Sequence, residues 1–354
     1  MPRPRLAQLA AAAALSSLTS AAVSAAPPLL RALALVNTEN DEHQIATVAE
    51  VNASSGRVAT PFATFDWSVQ WATSLDCATT FAETPTPRWL SLIGAGPSVA
   101  TVDARSGALL SVSPPISTAY IVASAAWDAA KGDLVAVGVA AGTGTKADLI
   151  RINATTGAVT VELRGIAGAA FPQPCASALS LATRTLYTVA NDVETDDADQ
   201  AVEAYDLDTG KLRHSVAWPA KSKHEGPLGA PVVVAAAAAG GPDSLMLIWG
   251  DADLARPLRF ITLDLESGNV TVLCELPAKF KDTVVDIGGM SPTAVRAAPD
   301  GSYSLVAMAF DNSADASLLL QLAVGAGAGS GSGNVTLTHL AAGGKMLWSP
   351  VLLL

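Results

Sequence analysis

The residues best able to do chemistry in this chain are carboxylates, and they come in bursts. Glu39, Asp41 and Glu42 form one group, Asp192, Glu194, Asp196, Asp197 and Asp199 a second, Asp251 and Asp253 a third, and Asp311 and Asp315 a fourth. Clustered carboxylates can hold a hard cation such as Ca²⁺ through their oxygens, or attract a basic partner. Acids on solvated loop tips also simply keep a chain soluble, and that plainer role competes with the first. Other catalytic patterns are missing from the sequence: there is no G-x-S-x-G elbow, HExxH, phosphate-binding glycine-lysine loop or C-x-x-C. The four histidines, His43, His214, His224 and His339, are too scattered to make a ligand set among themselves.

Three longer polar stretches add candidates. "WPAKSKHEGPLG" carries Trp218 and His224, "PAKFKDTVVDIGG" carries Lys279, and "TFDWSVQW" carries Trp67. Aromatic and charged side chains converging on one mouth make a small-molecule pocket. The same residues serve equally well as packing between elements, and a lone loop histidine is usually just exposed.

What must position these groups is a repeat. A pentad reading Asn/Asp, two variable residues, Ser/Thr, Gly recurs as 52–56, 103–107, 153–157, 206–210 and 264–268, each time between apolar or alternating runs. Asn or Asp bonds the backbone ahead of it to start a turn, and glycine accepts the positive φ that closes it. The flanks alternate with period two, as half-buried strands do. From glycine to glycine the spacings are 51, 50, 53 and 58 residues, and a degenerate sixth copy ends at Gly333 after 65 more. A period of that size marks a repeat array.

Each period holds four strands. In the last one, apolar runs at 294–298, 304–310 and 318–322 precede the glycine-rich hairpin and a fourth run at 334–337. Four-stranded repeats of this length suit the blades of a β-propeller, which bury both faces of each sheet against their neighbours. The first repeat starts at its second strand, near 32–36, and the chain ends on a spare apolar strand, "KMLWSPVLLL". The predicted fold class is therefore all-β: a six-bladed β-propeller over 26–354, its first blade closed by the C-terminal strand in a one-plus-three closure.

The phrases "TVDARSGALLSV", "RINATTGAVTVEL", "AYDLDTGKLRHSV" and "ITLDLESGNVTVL" resemble the third and fourth strands of YVTN and quinoprotein-like propeller repeats. The resemblance implies the fold and nothing finer. Quinoprotein enzymes dock their blades with a tryptophan shortly after the glycine, whereas the fourth residue after Gly210 is His214 and after Gly157 is Val161. That departure argues against a quinone cofactor. No cofactor is predicted, Ca²⁺ being the one ion the acids suit.

Residues 1–25 carry Arg3 and Arg5, then an Ala/Leu-rich stretch, then small residues suited to cleavage after Ala25, the pattern of a secretory signal. Such a segment is weakly hydrophobic for a membrane span, and no other stretch is long enough for one, so no stable membrane insertion is expected after its removal. The expected location is extracellular or the lumen of the secretory pathway. Secretion gives meaning to four sequons at Asn52, Asn153, Asn269 and Asn334, all at the hairpin between a third and a fourth strand. Asparagine is also a turn former, which is the competing reason for its presence there. Cys77, Cys175 and Cys274 are an odd set, read mainly as buried small apolar residues.

Strand alternation then separates two faces: sequons on one, acidic second-to-third-strand loops on the other. Removing two arginines with the leader leaves 19 basic residues against 32 acidic, a net of −13, which argues against nucleic acid as a partner. The expected function is non-catalytic binding of a protein, glycan or cation by the acidic face. The alternative is an extracellular propeller hydrolase or lactonase with a carboxylate-held metal at the channel mouth.

Overall fold

The computed structural model describes residues 29–37, 44–59, 65–67, 79–82, 86–93, 98–116, 120–140, 146–166, 177–190, 201–217, 225–227, 232–234, 244–251, 259–275, 284–286, 295–297, 302–311, 316–325, 333–341 and 346–353. Sheet 1 starts with β1 (Leu29–Asn37), β2 (Gln44–Val51), β3 (Val58–Ala59) and β4 (Phe65–Trp67). Sheet 2 is β5 (Thr79–Ala82), β6 (Arg88–Ile93), β7 (Ser98–Asp103) and β8 (Leu109–Val112). Sheet 3 is β9 (Tyr120–Asp128), β10 (Asp133–Ala140), β11 (Ala147–Ile152) and β12 (Val159–Ile166). Sheet 4 is β13 (Ser177–Ser180), β14 (Thr185–Ala190), β15 (Ala201–Asp206) and β16 (Leu212–Ala217).

Sheet 5 contains β17 (Glu225–Pro227), β18 (Val232–Val234), β19 (Ser244–Asp251), β20 (Arg259–Asp264) and β21 (Val270–Glu275). Sheet 6 contains β22 (Val284–Asp286), β23 (Val295–Ala297), β24 (Tyr303–Asp311), β25 (Ala316–Val324) and β26 (Gly333–His339). The last strand, β27 (Met346–Leu353), goes back to sheet 1 and pairs antiparallel with β1, Leu29 opposite Leu353 and Leu35 opposite Met346. Its register slips between Arg31 and Leu33, where Ser349 and Pro350 fall; proline has no amide to give to the ladder.

Three sheets differ from the one-strand-per-position expectation. In sheet 1 the last position is shared by β3 and β4, both on β2. The first position of sheet 5 is filled by β17 and β18, both on β19, and that of sheet 6 by β22 and β23, both on β24. Stretches read as connectors thus contribute short strands: Glu225–Pro227 from one, Val284–Asp286 from another, and Phe65–Trp67 from the third.

Burial follows position in the sheet. The second strand β10 is buried over six consecutive residues, Leu134 to Val139, so both its faces are covered. The fourth strand β12 alternates half-buried and exposed residues, and β8 is exposed throughout. Apolar clusters join the sheets in chain order. Leu90 and Leu92 of sheet 2 meet Ile150 and Ile152 of sheet 3. Val135 and Val137 of sheet 3 meet Leu186 and Tyr205 of sheet 4. Tyr187 of sheet 4 meets Leu245 and Trp249 of sheet 5. A larger cluster unites Phe260 of sheet 5 with Leu318 and Leu320 of sheet 6 and Leu30 and Ala32 of sheet 1. Near the centre, β9 lies beside β5 and β13, and β18 beside β13 and β23. This is an all-β, propeller-like arrangement of six antiparallel sheets.

Sheets 1 and 2 meet differently. Arg31, buried in β1, donates Nη1 to the carbonyl of Ala104 at 2.7 Å and to that of Arg105, and lies 3.9 Å from Glu50. Burial lowers its pKa, and Glu50 and Asp103 offset part of that effect.

Candidate functional site

Every pentad folds the same way. The first residue's Oδ1 accepts the amides of the third and fourth, at 3.1 and 2.9 Å for Asn52, 2.9 and 2.5 Å for Asp103, and 3.1 and 2.9 Å for Asn153. Asp206 and Asp264 repeat the pattern. The glycine amide closes the turn on the carbonyl of the first residue, and its φ lies between 68° and 71° in all five copies. The Ser or Thr before that glycine is explained as well: its hydroxyl accepts the amide two residues on, as Thr156 does from Ala158 at 3.3 Å and Thr209 from Lys211 at 3.4 Å. Asp264 is held below its ordinary pKa chiefly by the Ser267 amide, and Asp206 far below it, first by Arg213 at 2.7 Å and then by the Thr209 amide.

These hairpins also dock. A Cβ added to Gly56 would stand 2.0 Å from the carbonyl oxygen of His339 in sheet 6, and one on Gly157 would stand 2.4 Å from that of Pro114, just after β8 of sheet 2. Around Gly56 the contact is a clasp: Ala341 donates its amide to Gly56 at 2.9 Å and Thr338 its hydroxyl to Ala53 at 3.1 Å. The hairpins of Gly56, Gly157, Gly210 and Gly268 therefore sit on or beside the outer strand of the sheet before them.

The sequons occupy this end. Asn52 and Asn153 open their turns, Asn269 follows Gly268, and Asn334 stands in β26 opposite Ala323. The same end carries an ionic cluster that the sequence reading missed. Arg151, with one tenth of its side chain exposed, donates Nε to Glu162 at 2.8 Å and Nη1 to Asp128 at 2.9 Å, with Asp133 at 3.9 Å. Burial works against its charge, but the Glu162 and Asp128 bonds outweigh it and raise its pKa; burial likewise opposes ionisation of Asp128, and the Arg151 and backbone bonds still bring it below its ordinary value. The sequence signal was an arginine at an apolar position of "LIRI", followed eleven residues later by its cross-strand glutamate. In sheet 4 Arg184 plays a related part, with a fork to Asp208 at 2.9 and 3.0 Å. Its φ of 51° takes the role glycine has in the other hairpins.

The strands that flank the acidic segments turn away at the opposite end. Asp251 ends β19 and stands opposite Glu225, while Ser244 at the other end of β19 stands opposite Asp264 of the pentad. Seven residues of strand separate those ends by about 23 Å. Asp311 ends β24 opposite Ala316 and Val284. Trp67 ends β4, opposite Gln44. The remaining candidates, Glu39, Asp41, Glu42, Asp192, Glu194, Asp196, Asp197, Asp199, Asp253, Asp315, Trp218, His224 and Lys279, lie outside the described residues. So do Cys77 and Cys175, while Cys274 is a buried free thiol whose pKa burial pushes up to about 11, making it unreactive near neutrality. Among the described residues no three of His, Cys, Asp and Glu are grouped to hold a metal ion, and no helix is long and apolar enough to cross a membrane.

No protein-family model matches the chain, and no curated protein matches it. Among solved structures it is similar to a subtype N10 neuraminidase-like protein of A/little yellow-shouldered bat/Guatemala, at 10% identity and a TM-score of 0.37, over 77% of this chain and 83% of that one. It is similar to a protein from Lactobacillus plantarum at 14% identity and a TM-score of 0.37, over 88% and 82% of the two chains. A third likeness is to the extracellular domain of a one-component system from B. thetaiotaomicron, at 7% identity and a TM-score of 0.38, over 82% of this chain and 32% of that one.

Proposed function

We propose that this chain is a secreted, glycosylated six-bladed propeller of the YVTN or quinoprotein-like kind, closed one-plus-three by β27, and that it binds a cation, glycan or protein through its acidic face without catalysis. The observation that carries the reading is the separation of ends: sequons on third-to-fourth-strand hairpins, Asp251 and Asp311 at the far ends of the second strands. The pairing of β27 with β1 and the clasp from Gly56 to Ala341 support the closure. Ca²⁺ is the first ligand to try, since clustered oxygens suit a hard cation.

Calorimetric Ca²⁺ titration of the mature chain, with melting followed with and without chelator, tests this. A ligand specific for the folded state adds about 2.7 kcal/mol at a hundredfold excess over Kd. A Ca²⁺-dependent rise in Tm, lost in the triple variant Asp196→Asn, Asp197→Asn, Asp251→Asn, is the expected result. An unchanged Tm removes the cation and leaves a basic protein or a glycan as the occupant. Turnover of ester or lactone substrates by the Ca²⁺-loaded chain would instead replace binding with the hydrolase reading.

A further inference from the structure

We infer that the secreted chain carries N-linked sugar on Asn52, Asn269 and Asn334, and none on Asn153. This rests on the secretory reading above and adds a choice among its four sequons.

The argument begins with why asparagine stands where it does. At the first pentad position the turn needs only an oxygen acceptor, and Asp103, Asp206 and Asp264 serve as well as Asn52 and Asn153. What asparagine adds is Nδ2, the atom that receives the sugar. In the transfer, Nδ2 displaces a lipid-linked pyrophosphate from the anomeric carbon of an oligosaccharide donor and loses one proton. At Asn153 that nitrogen already has work in the fold: it donates to Asp133 Oδ1 at 3.3 Å, beside the Arg151 cluster, in a half-buried position. The turn cannot swing away, because Gly157 is pressed against the Pro114 carbonyl. The Asn153 amide thus has a structural reason to exist.

The Nδ2 atoms of the other three have no such bond among the described residues. Asn52, Asn269 and Asn334 are exposed, and among the described residues their Nδ2 atoms make no hydrogen bond. Transfer precedes folding, so selection acts through what a modified chain can fold to. Sugar on Asn153 must displace Asp133 from its donor and enter a half-buried ionic cluster, whereas sugar on the others projects into water. The three sites belong to sheets 1, 5 and 6, which share one apolar cluster, so the sugars form one arc. Sheets 2 and 4 have Asp in the pentad and no sequon, and their outer strands hold Leu109, Leu110, Val112 and Leu212, the large apolar side chains most exposed among the described residues.

The test is site mapping on protein secreted from a eukaryotic host, with one arm using the native residues 1–25 and a second using a heterologous leader that enforces translocation. Enzymatic deglycosylation in heavy-oxygen water marks each occupied Asn as labelled Asp. Label at Asn52, Asn269 and Asn334 but not at Asn153 is the expected pattern in the enforced arm. Label at Asn153, or its absence from the other three, overturns the assignment. Failure of the native arm alone overturns the secretory reading and leaves the site assignment standing. Intact mass adds a second check. Asn153→Asp keeps three glycans but lowers Tm by about 2 °C, because Asp133 loses its donor and gains a like charge. Asn52→Asp loses one glycan. An Asn153→Asp chain one glycan lighter than the parent, or of parental Tm, contradicts the structural role of that amide.

Discussion

Gly56 and Gly132 close hairpins with almost the same backbone, at φ of 70° and 72°, each four residues after an Asn or Asp whose Oδ1 accepts two amides. Their surroundings differ completely. A Cβ on Gly56 would meet the His339 carbonyl oxygen at 2.0 Å, whereas one on Gly132 would meet nothing within 4 Å. The same local grammar therefore makes two kinds of object. At 128–132, between first and second strands, its glycine meets no other sheet; at 52–56, between third and fourth strands, it docks one sheet on another.

The strongest way to break this comparison is Gly56→Ala. It combines a left-handed backbone with a clash against another backbone, so a loss of about 3 kcal/mol or more is expected in urea unfolding. A loss no larger than that of Gly132→Ala would show that the hairpin does not dock. Next comes Arg151→Met, which takes the nearest cation from Asp128 and Glu162 and should cost about 2 kcal/mol, less than for a fully buried pair because both carboxylates reach solvent and Glu162 keeps Arg184 and Lys131 at 3.9 and 4.0 Å. It sharpens the comparison, since Arg151 bonds the free turn through Asp128 and flanks the docked turn through Asp133 and Asn153.

That cluster also sets a pH dependence. Asp128 has a lowered pKa in the fold, so its contribution is complete above the ordinary carboxylate value of about 3.9 and is lost as pH falls through the folded value. Acid melting curves of Arg151→Met should accordingly show a shallower loss below about pH 4 than those of the parent. A parallel pair of curves would detach Arg151 from Asp128. Gly132→Ala is expected to cost about 1 kcal/mol, the price of a positive φ alone. Smallest is Thr209→Ala, which removes an exposed 3.4 Å bond to the Lys211 amide and should change stability by about 0.5 kcal/mol.

The pentad hairpins were readable because everything they need is within five residues: an acceptor, a hydroxyl and a glycine. Asp128 to Gly132 was passed over because Lys131 stands where the pattern has Ser or Thr, and the turn closes without that hydroxyl. The 180–184 hairpin was hidden further, since Arg184 adopts a positive φ without being glycine. Trp67 reads as a connector residue because a three-residue strand has too few alternations to reveal itself, yet it pairs with Gln44. The acidic arc was legible only as composition, and of its members Asp251 and Asp311 are the two whose strand-end positions are described.

Sequence alone determined the repeat, the strands of the four-stranded sheets 2, 3 and 4, the apolar strand at 346–353 and the turn chemistry, because each depends on a few neighbouring residues and a period of two. Which glycine touches another sheet, which asparagine has spent its amide on Asp133, and which arginine gathers Asp128, Asp133 and Glu162 were decided by the tertiary structure. Those contacts join residues on different strands or different sheets. No local pattern records them, since of the same Asn-x-x-Ser/Thr-Gly written twice, one bonds Nδ2 to Asp133 and the other, among the described residues, bonds only through Oδ1.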